Sequence, residues 1–393
     1  MQVRHQLAVY SPITIASLAR AVPAALGLVS DPRPLLLDYL LREYSADAGL
    51  LCGSGTQALQ VAITAALSEV GRGESVALPA FSCFDVASAA IGADARVSLY
   101  DIDPTTLSPD LDSFERTLAN GARVAVVAPL YGMPVDWETL ERLASKFDAI
   151  LIEDAAQGNG AEWRGTPVGA LGRISTLSFG RGKGWTGGHG GAVLVRGGQE
   201  LPRVELARAG ARGEAATIAG LTAQWAFGRP SVYGVPRAVP WLHLGETSYR
   251  PPVVPHVLDC GAAAALLSSR DQSKSEAARR RETARVMSER TEDLSSIRPI
   301  VAHKPAVSGF LRFPVRLPDG LASLADPSRA LRLGIAPTYP DTLSSLNPLA
   351  KLLCVKPSPY PGARCLVREL VTLPTHSLLR AEEREEILSL LSV

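Results

Sequence analysis

The 393-residue sequence has almost no net charge, no paired-cysteine pattern and very little lysine. Forty basic residues against 39 acidic ones leave a formal charge of +1, so neither the basic excess that marks nucleic-acid binding nor the acidic bias of a disordered chain is present. The five cysteines, Cys52, Cys83, Cys260, Cys354 and Cys365, are odd in number and show no CxxC spacing. That excludes a disulfide framework and gives no sign of a zinc site, so they read as free thiols. No apolar run approaches the length needed to cross a bilayer, and the N-terminal MQVRHQLAVYSPITIASLARAV lacks the unbroken apolar stretch of a secretory signal. The expected location is cytoplasmic. Only six of the forty basic residues are lysines: Lys146, Lys183, Lys274, Lys304, Lys351 and Lys356.

What is present is a series of short apolar runs alternating with helical patterns. ESVALPA, ARVSLYDID, RVAVVAPLYG, AILIEDAAQ, ISTLSFG and GGAVLVR are apolar on both faces, as strands of a mainly parallel sheet covered by helices must be. TQALQVAITAALSEV and VDWETLERLASKF, which lie between them, carry apolar residues at helical spacing. The fold class is therefore α/β. Its length exceeds what one core usually holds, which predicts a large α/β domain over residues 1–270 and a smaller C-terminal α+β domain over 271–393. In the latter, GFLRFPVRL and VTLPTHS read as strands and AEEREEILSLL as a closing helix. The RRRE cluster near residue 280 is interleaved with glutamates and reads as a solvated helix face.

In open α/β sheets ligands lie beyond the carboxyl ends of the strands, so the polar groups there are the candidates. AILIEDAAQ delivers Glu153, Asp154 and Gln157; ISTLSFG ends at Ser178 and runs into the glycine-rich SFGRGKGWTGGHGG, which holds Lys183. GLLCGSGTQAL puts Gly53, Ser54, Gly55 and Thr56 just before a helix, where free amides and the positive dipole end suit a phosphate. A plain helix cap is the competing reading of that turn, and a cap or an ion pair that of Asp154. Lys183 is harder to explain structurally. Arginine binds a phosphate at least as well, but only a primary amine forms a Schiff base with an aldehyde. Phosphate turn, strand-end carboxylate and lysine together are the parts pyridoxal 5'-phosphate (PLP) requires.

The order of these motifs resembles the PLP-dependent sugar aminotransferases of the DegT/DnrJ/StrS type. The likeness runs through SGTQAL, LPAFSCFDVASAA, YDIDPTTLSPDLDSFE, APLYGMPVDWETLERLA and IEDAAQGNGAEWRGTPVGALGRISTLSFGRGKGWTGGHGGAVLV. It is densest from residue 50 to 196 and returns in the tail at ELVTLPTHSLLRAEEREEIL. The resemblance implies a fold type I PLP-dependent transferase, a homodimer with active sites at the subunit interface, and an amino-acid donor, expected to be L-glutamate, acting on a keto-sugar. It assigns Lys183 to the cofactor-linking, proton-carrying lysine, Asp154 to the partner of the pyridinium nitrogen and Gln157 to the neighbourhood of the ring hydroxyl. Ser178, Gly55, Thr56 and Gln57 match phosphate-binding positions.

This sequence departs from the family pattern at several of these positions. Where the family lays an aromatic residue on the ring, strict alignment puts Cys83, with Phe84 next to it; either could cover the cofactor. Ser248, followed by Tyr249 and Arg250, stands where the partner subunit usually offers an asparagine to the phosphate. Pro129 and Asn159 replace common histidines. The N-terminal stretch lacks the usual glycine-bearing loop and residues 197–245 look longer than their counterpart, so the substrate is less defined than the cofactor. A cyclitol or other non-nucleotide ketone is an alternative acceptor, and a non-catalytic PLP-binding homologue an alternative class. A dehydratase variant would carry histidine at the lysine position, which Lys183 fills. A dinucleotide-binding oxidoreductase fails on spacing, since CGSGTQ contains no GxGxxG.

Overall fold

The structure is a computed structural model describing residues 4–392 except 72, 200, 202–205, 208, 209, 240–246, 293 and 356–358. Lys356 and parts of the 197–245 segment therefore lie outside the described residues. In the first two thirds of the chain the strands are β1 (Ala48–Cys52), β2 (Ser75–Pro79), β3 (Arg96–Tyr100), β4 (Ala122–Val127), β5 (Ile150–Asp154), β6 (Glu162–Trp163), β7 (Thr166–Pro167), β8 (Ile174–Ser178) and β9 (Gly191–Val195). The helices are α1 (Ile15–Ala25), α2 (Arg33–Glu43), α3 (Gly55–Val70), α4 (Phe84–Gly92), α5 (Leu111–Ala119), α6 (Trp137–Ser145), α7 (Ala211–Phe227), α8 (Gly234–Arg237) and α9 (Cys260–Thr291).

Seven of these strands form one sheet in the order β1-β9-β8-β5-β4-β2-β3. The five from β3 to β8 are parallel, and β9 runs antiparallel to both of its neighbours. Strands β2 and β5 are buried at every residue, because helices cover both faces and no polar alternation is needed. The six runs read as strands all fall on strands of this sheet. β1 is the strand the apolar pattern does not reveal: it begins half-buried at Ala48, Gly49 and Leu50 and only its end is dry. Its pairing nonetheless places the site. Cys52 lies opposite Gly191, and Gly191 opposite Ser178, so the turn opening α3 and the end of β8 share one edge.

The C-terminal part adds β10 (Arg298–Pro299), β11 (Ala306–Val307), β12 (Phe313–Arg316), β13 (Ala336–Pro337) and β14 (Leu370–Leu373), of which four form a sheet in the order β10-β12-β14-β13. Its own core gathers Met287, Phe313, Val315, Val371, Leu373 and Ile387, the last from the closing helix Ala381–Leu391. Two features join the halves. α9 runs unbroken for 32 residues, through residue 270, and β11 pairs with β6, which with β7 forms a small three-stranded sheet made from both parts. The RRRE cluster on α9 is not wholly a solvated face. Arg280 is fully buried, its Nη2 donating to the Asn159 carbonyl and side chain at 2.8 Å each and its Nε to the Gly309 carbonyl at 3.3 Å.

Candidate active site

The carboxyl ends of β2, β4, β5 and β8 lie side by side and deliver Cys83, Tyr131, Asp154 with Gln157, and Ser178 with Lys183. Alternation along β5 separates its two acids, because successive side chains point to opposite faces. Glu153, fully buried, accepts from the amides of Gly169, Leu171 and Gly172 and from Ser175 Oγ, all within 3.1 Å. Glu153 thus braces a turn. Asp154, 9% exposed, uses Oδ1 for the Ala156 amide at 3.1 Å and Thr176 Oγ1 at 3.4 Å. Its Oδ2 makes no hydrogen bond among the described residues. Burial lifts the Asp154 carboxyl above its ordinary range, while the positive charge of Lys183 pulls the other way. A buried carboxylate in that position is stabilised by a proton donor, as a protonated ring nitrogen would be.

Lys183 sits between Gly182 and Gly184, which adopt φ of +76° and +79°. Left-handed backbone on both sides admits glycine readily and side chains poorly, so these residues hold the lysine on a tight projecting loop. Outside contacts fasten the loop at its next residue: the Gly184 amide donates to Ser11 Oγ at 3.0 Å, and its carbonyl accepts from Ser273 Oγ at 3.3 Å. The Lys183 charge also bears on Cys83, whose thiol burial pushes up to about 12, so that the group is neutral at physiological pH. Phe84, by contrast, is 6% exposed and belongs to the main hydrophobic core. Of the two residues that could cover a ring, Cys83 is the one whose surroundings include Lys183.

At the phosphate end, Ser54 caps α3, its side chain accepting from the Gln57 amide at 3.2 Å. The cap thus takes up the Gln57 amide, one of the groups expected to face a phosphate. A Cβ built on Gly55 would lie 2.6 Å from both Cβ and Oγ of Ser178, so only glycine lets these two segments meet. Ser178 Oγ makes no hydrogen bond among the described residues. Gln57 is buried and its Oε1 accepts from the His256 amide at 3.2 Å. A cavity of about 1330 Å³ opens beside this turn, lined by Gly53, Ser54, Gln57, Arg181, Arg229 and Arg250 among others. These three arginines form no ion pair among the described residues. Ser248 is exposed and does not line the cavity.

Several residues of the site escape a reading by motif. Gln157 is gripped at both ends, Oε1 accepting from the Tyr131 amide at 2.7 Å and Nε2 donating to Tyr339 Oη at 2.8 Å. Tyr339, 182 residues further on, stacks on Tyr131 at 6.5 Å between centroids, and its hydroxyl is pushed well up by burial. Tyr131 has a left-handed φ of 55° in the LYG turn. Beside Gly53, His189 meets Asp259 and Thr217, two residues with no motif around them. Among the described residues no group of three or more His, Cys, Asp and Glu could hold a metal, and no helix is long and apolar enough to cross a membrane.

Comparison with known proteins bears on this geometry. Residues 38–218 match the model of the DegT/DnrJ/EryC1/StrS aminotransferase family. Over 159 residues the chain is 38% identical to the L-glutamine:2-deoxy-scyllo-inosose aminotransferase of Streptomyces lividus, covering 40% of this chain and 37% of that protein. The matched stretch thus spans less than two fifths of that relative. A longer match, 29% identical over 325 residues, is to the L-glutamine:scyllo-inosose aminotransferase of Streptomyces griseus and covers 79% of this chain and 72% of that one. The solved structure of the sugar aminotransferase CalS13 from Micromonospora echinospora shares the fold, with a TM-score of 0.75 over 98% of each chain at 19% identity.

Proposed function

We propose, from the match of residues 38–218 to the DegT/DnrJ/EryC1/StrS aminotransferase family model and from the geometry of the site, that the chain is a PLP-dependent aminotransferase acting on a cyclitol or sugar ketone. The observation that carries this reading is the meeting of Lys183, Asp154 with its unpaired Oδ2, and Ser178 against Gly55 at one sheet edge. When bound, PLP supplies an electrophilic aldehyde and a ring that accepts the electron pair released at the substrate carbon. The residues present fit it. The amides of Gly55 and Thr56 at the start of α3, with Ser178 Oγ, would bind the phosphate, the Gln57 amide being held by the Ser54 cap. Asp154 Oδ2 holds the proton on the ring nitrogen, and the resulting ion pair offsets the cost of burying that carboxylate. Gln157, locked between Tyr131 and Tyr339, fixes the wall near the ring hydroxyl. Cys83 covers one face without competing as a nucleophile, its thiol being protonated. Lys183 Nζ, carried on its glycine-flanked loop, would take a proton from the donor carbon and return one to the acceptor carbon.

The names of the two inosose aminotransferases this chain resembles support a keto-cyclitol acceptor and L-glutamine as donor, beside the L-glutamate expected from the sequence. A nucleotide-linked keto-sugar is the second reading, supported by Arg181, Arg229 and Arg250 on the cavity wall, which form no ion pair among the described residues. We place the exposed Ser248 and Arg250 near the phosphate of a partner subunit in a homodimer. The test is an amine-transfer screen by mass spectrometry, pairing each donor with inososes and with nucleotide-linked keto-sugars. The expected result is an aminocyclitol product; aminated nucleotide-sugars alone would select the second reading, and no product with any pair would overturn both.

A further inference from the structure

His189, in the GGHGG stretch after Lys183, has no part in the chemistry above, yet it is built into the phosphate turn from behind. Its Nδ1 lies 2.9 Å from the Gly53 carbonyl, and its Nε2 lies 2.9 Å from Asp259 Oδ2 and 2.8 Å from Thr217 Oγ1. Thr217 in turn donates to Asp259 Oδ2 at 2.6 Å. The Gly53 carbonyl can only accept, and the Asp259 carboxylate lies at ion-pair distance from Nε2, so the surroundings favour a ring protonated on both nitrogens, an imidazolium paired with Asp259. Gly53 is held on its other side as well. Its amide donates to the His256 carbonyl at 2.7 Å, and a Cβ on Gly53 would fall inside the His256 ring. None of the turn residues Gly53, Ser54, Gly55, Thr56 and Gln57 carries a positive charge. Asp259 is 4% exposed, lines the same cavity as the turn, and has its Oδ1 buried without a partner.

We propose that His189 is a positioning residue for the cofactor phosphate: as an imidazolium between Gly53 and Asp259 it holds the turn in place and balances the Asp259 charge, so that the cofactor is released as His189 loses its proton. This rests on the PLP reading of the site. Losing one proton leaves the Asp259 charge uncompensated in the same cavity as the turn, and the proton that remains on the ring can serve only one of Gly53 and Asp259. The ionisable groups facing His189 are Asp259 at the start of α9, Glu214 on α7 and, near Asp259, His256 on the segment before α9. Glu214 is itself occupied by the Cys260 and Gly261 amides. Burial acts to lower the His189 pKa, but the Asp259 bond and the Gly53 carbonyl outweigh it and leave the pKa above the ordinary 6.5. The imidazolium is therefore favoured over that of a free histidine, and its contribution disappears as pH rises through the raised value.

Pyridoxamine phosphate, which cannot link to Lys183, is the probe. Its affinity is measured by calorimetry across pH on the wild type, His189→Gln and Asp259→Asn, with thermal unfolding of each. In the wild type, affinity is expected to fall about tenfold as His189 titrates, one pKa unit of coupling being one decade in binding. His189→Gln should bind about tenfold more weakly below that step and lack the step. Asp259→Asn should move the step to lower pH, because the imidazolium loses its anion; this variant also decides the matter if His189→Gln folds poorly. Wild-type and His189→Gln profiles that differ only in melting temperature would overturn the proposal while leaving the PLP reading intact. Absence of pyridoxamine phosphate and PLP binding to the wild type at every pH would overturn both.

Discussion

The two ends of the site are built differently. The ring end is shaped by strand termini: Asp154, Cys83, Gln157 and Tyr131 leave three neighbouring strands or their turns, and Tyr339 closes the wall from the C-terminal part. The phosphate end borders a cavity of about 1330 Å³ and depends on a glycine turn held by side chains from distant segments, His189, His256 and Asp259. Packing against a buried sheet makes the first end rigid, whereas the second is held by a few polar contacts that substitution or pH can undo. On the proposed reading, electronic chemistry would belong to the rigid end and cofactor retention to the adjustable one.

The sharpest way to separate the two is Lys183→Ala, which removes the proton carrier and leaves the phosphate turn untouched. The half-reaction with an amino donor should slow by about a thousandfold or more, with pyridoxamine phosphate affinity nearly unchanged in calorimetry. Asp154→Asn attacks the ring end without touching the lysine; a loss of roughly a hundredfold in the same half-reaction is expected, since the amide cannot hold the ring nitrogen charged. Gly55→Ala reverses the pattern. The added Cβ meets Ser178 at 2.6 Å, so cofactor affinity should drop about tenfold and stability by about 1–3 kcal/mol, measured by calorimetry and denaturant unfolding. Tyr339→Phe is the mildest. It deprives Gln157 Nε2 of its acceptor and should lower unfolding stability by about 1–2 kcal/mol while changing the half-reaction less than Asp154→Asn does.

The same contrast explains what the amino-acid sequence made legible. Six strands stand out as apolar runs because both sheet faces are covered, and the strand-end polar groups follow from them. The closing helix Ala381–Leu391 falls on AEEREEILSLL. β1 is hidden because half of it is only partly buried and its fifth residue runs into the glycine turn. Glu153 and Asp154 are adjacent acids that composition cannot rank; only the pleat of β5 turns one to a structural turn and the other to Lys183. Arg280 looks like part of a charged surface run, yet one turn of α9 carries it beneath the Lys183 loop, where its partners are backbone oxygens and an amide rather than acids. His189 and Asp259 lie 70 residues apart and Gln157 and Tyr339 are 182 apart, distances at which only the folded chain reveals a pair.

The most direct test of the central claim is the absorption spectrum of the wild type and Lys183→Ala, each saturated with PLP, before and after L-glutamate or L-glutamine is added. The account predicts a lysine-linked cofactor band in the wild type that the amino donor converts to the pyridoxamine form, and in Lys183→Ala neither that band nor complete conversion. A wild type that binds PLP without a lysine-linked band, or whose band ignores every amino donor, would contradict it.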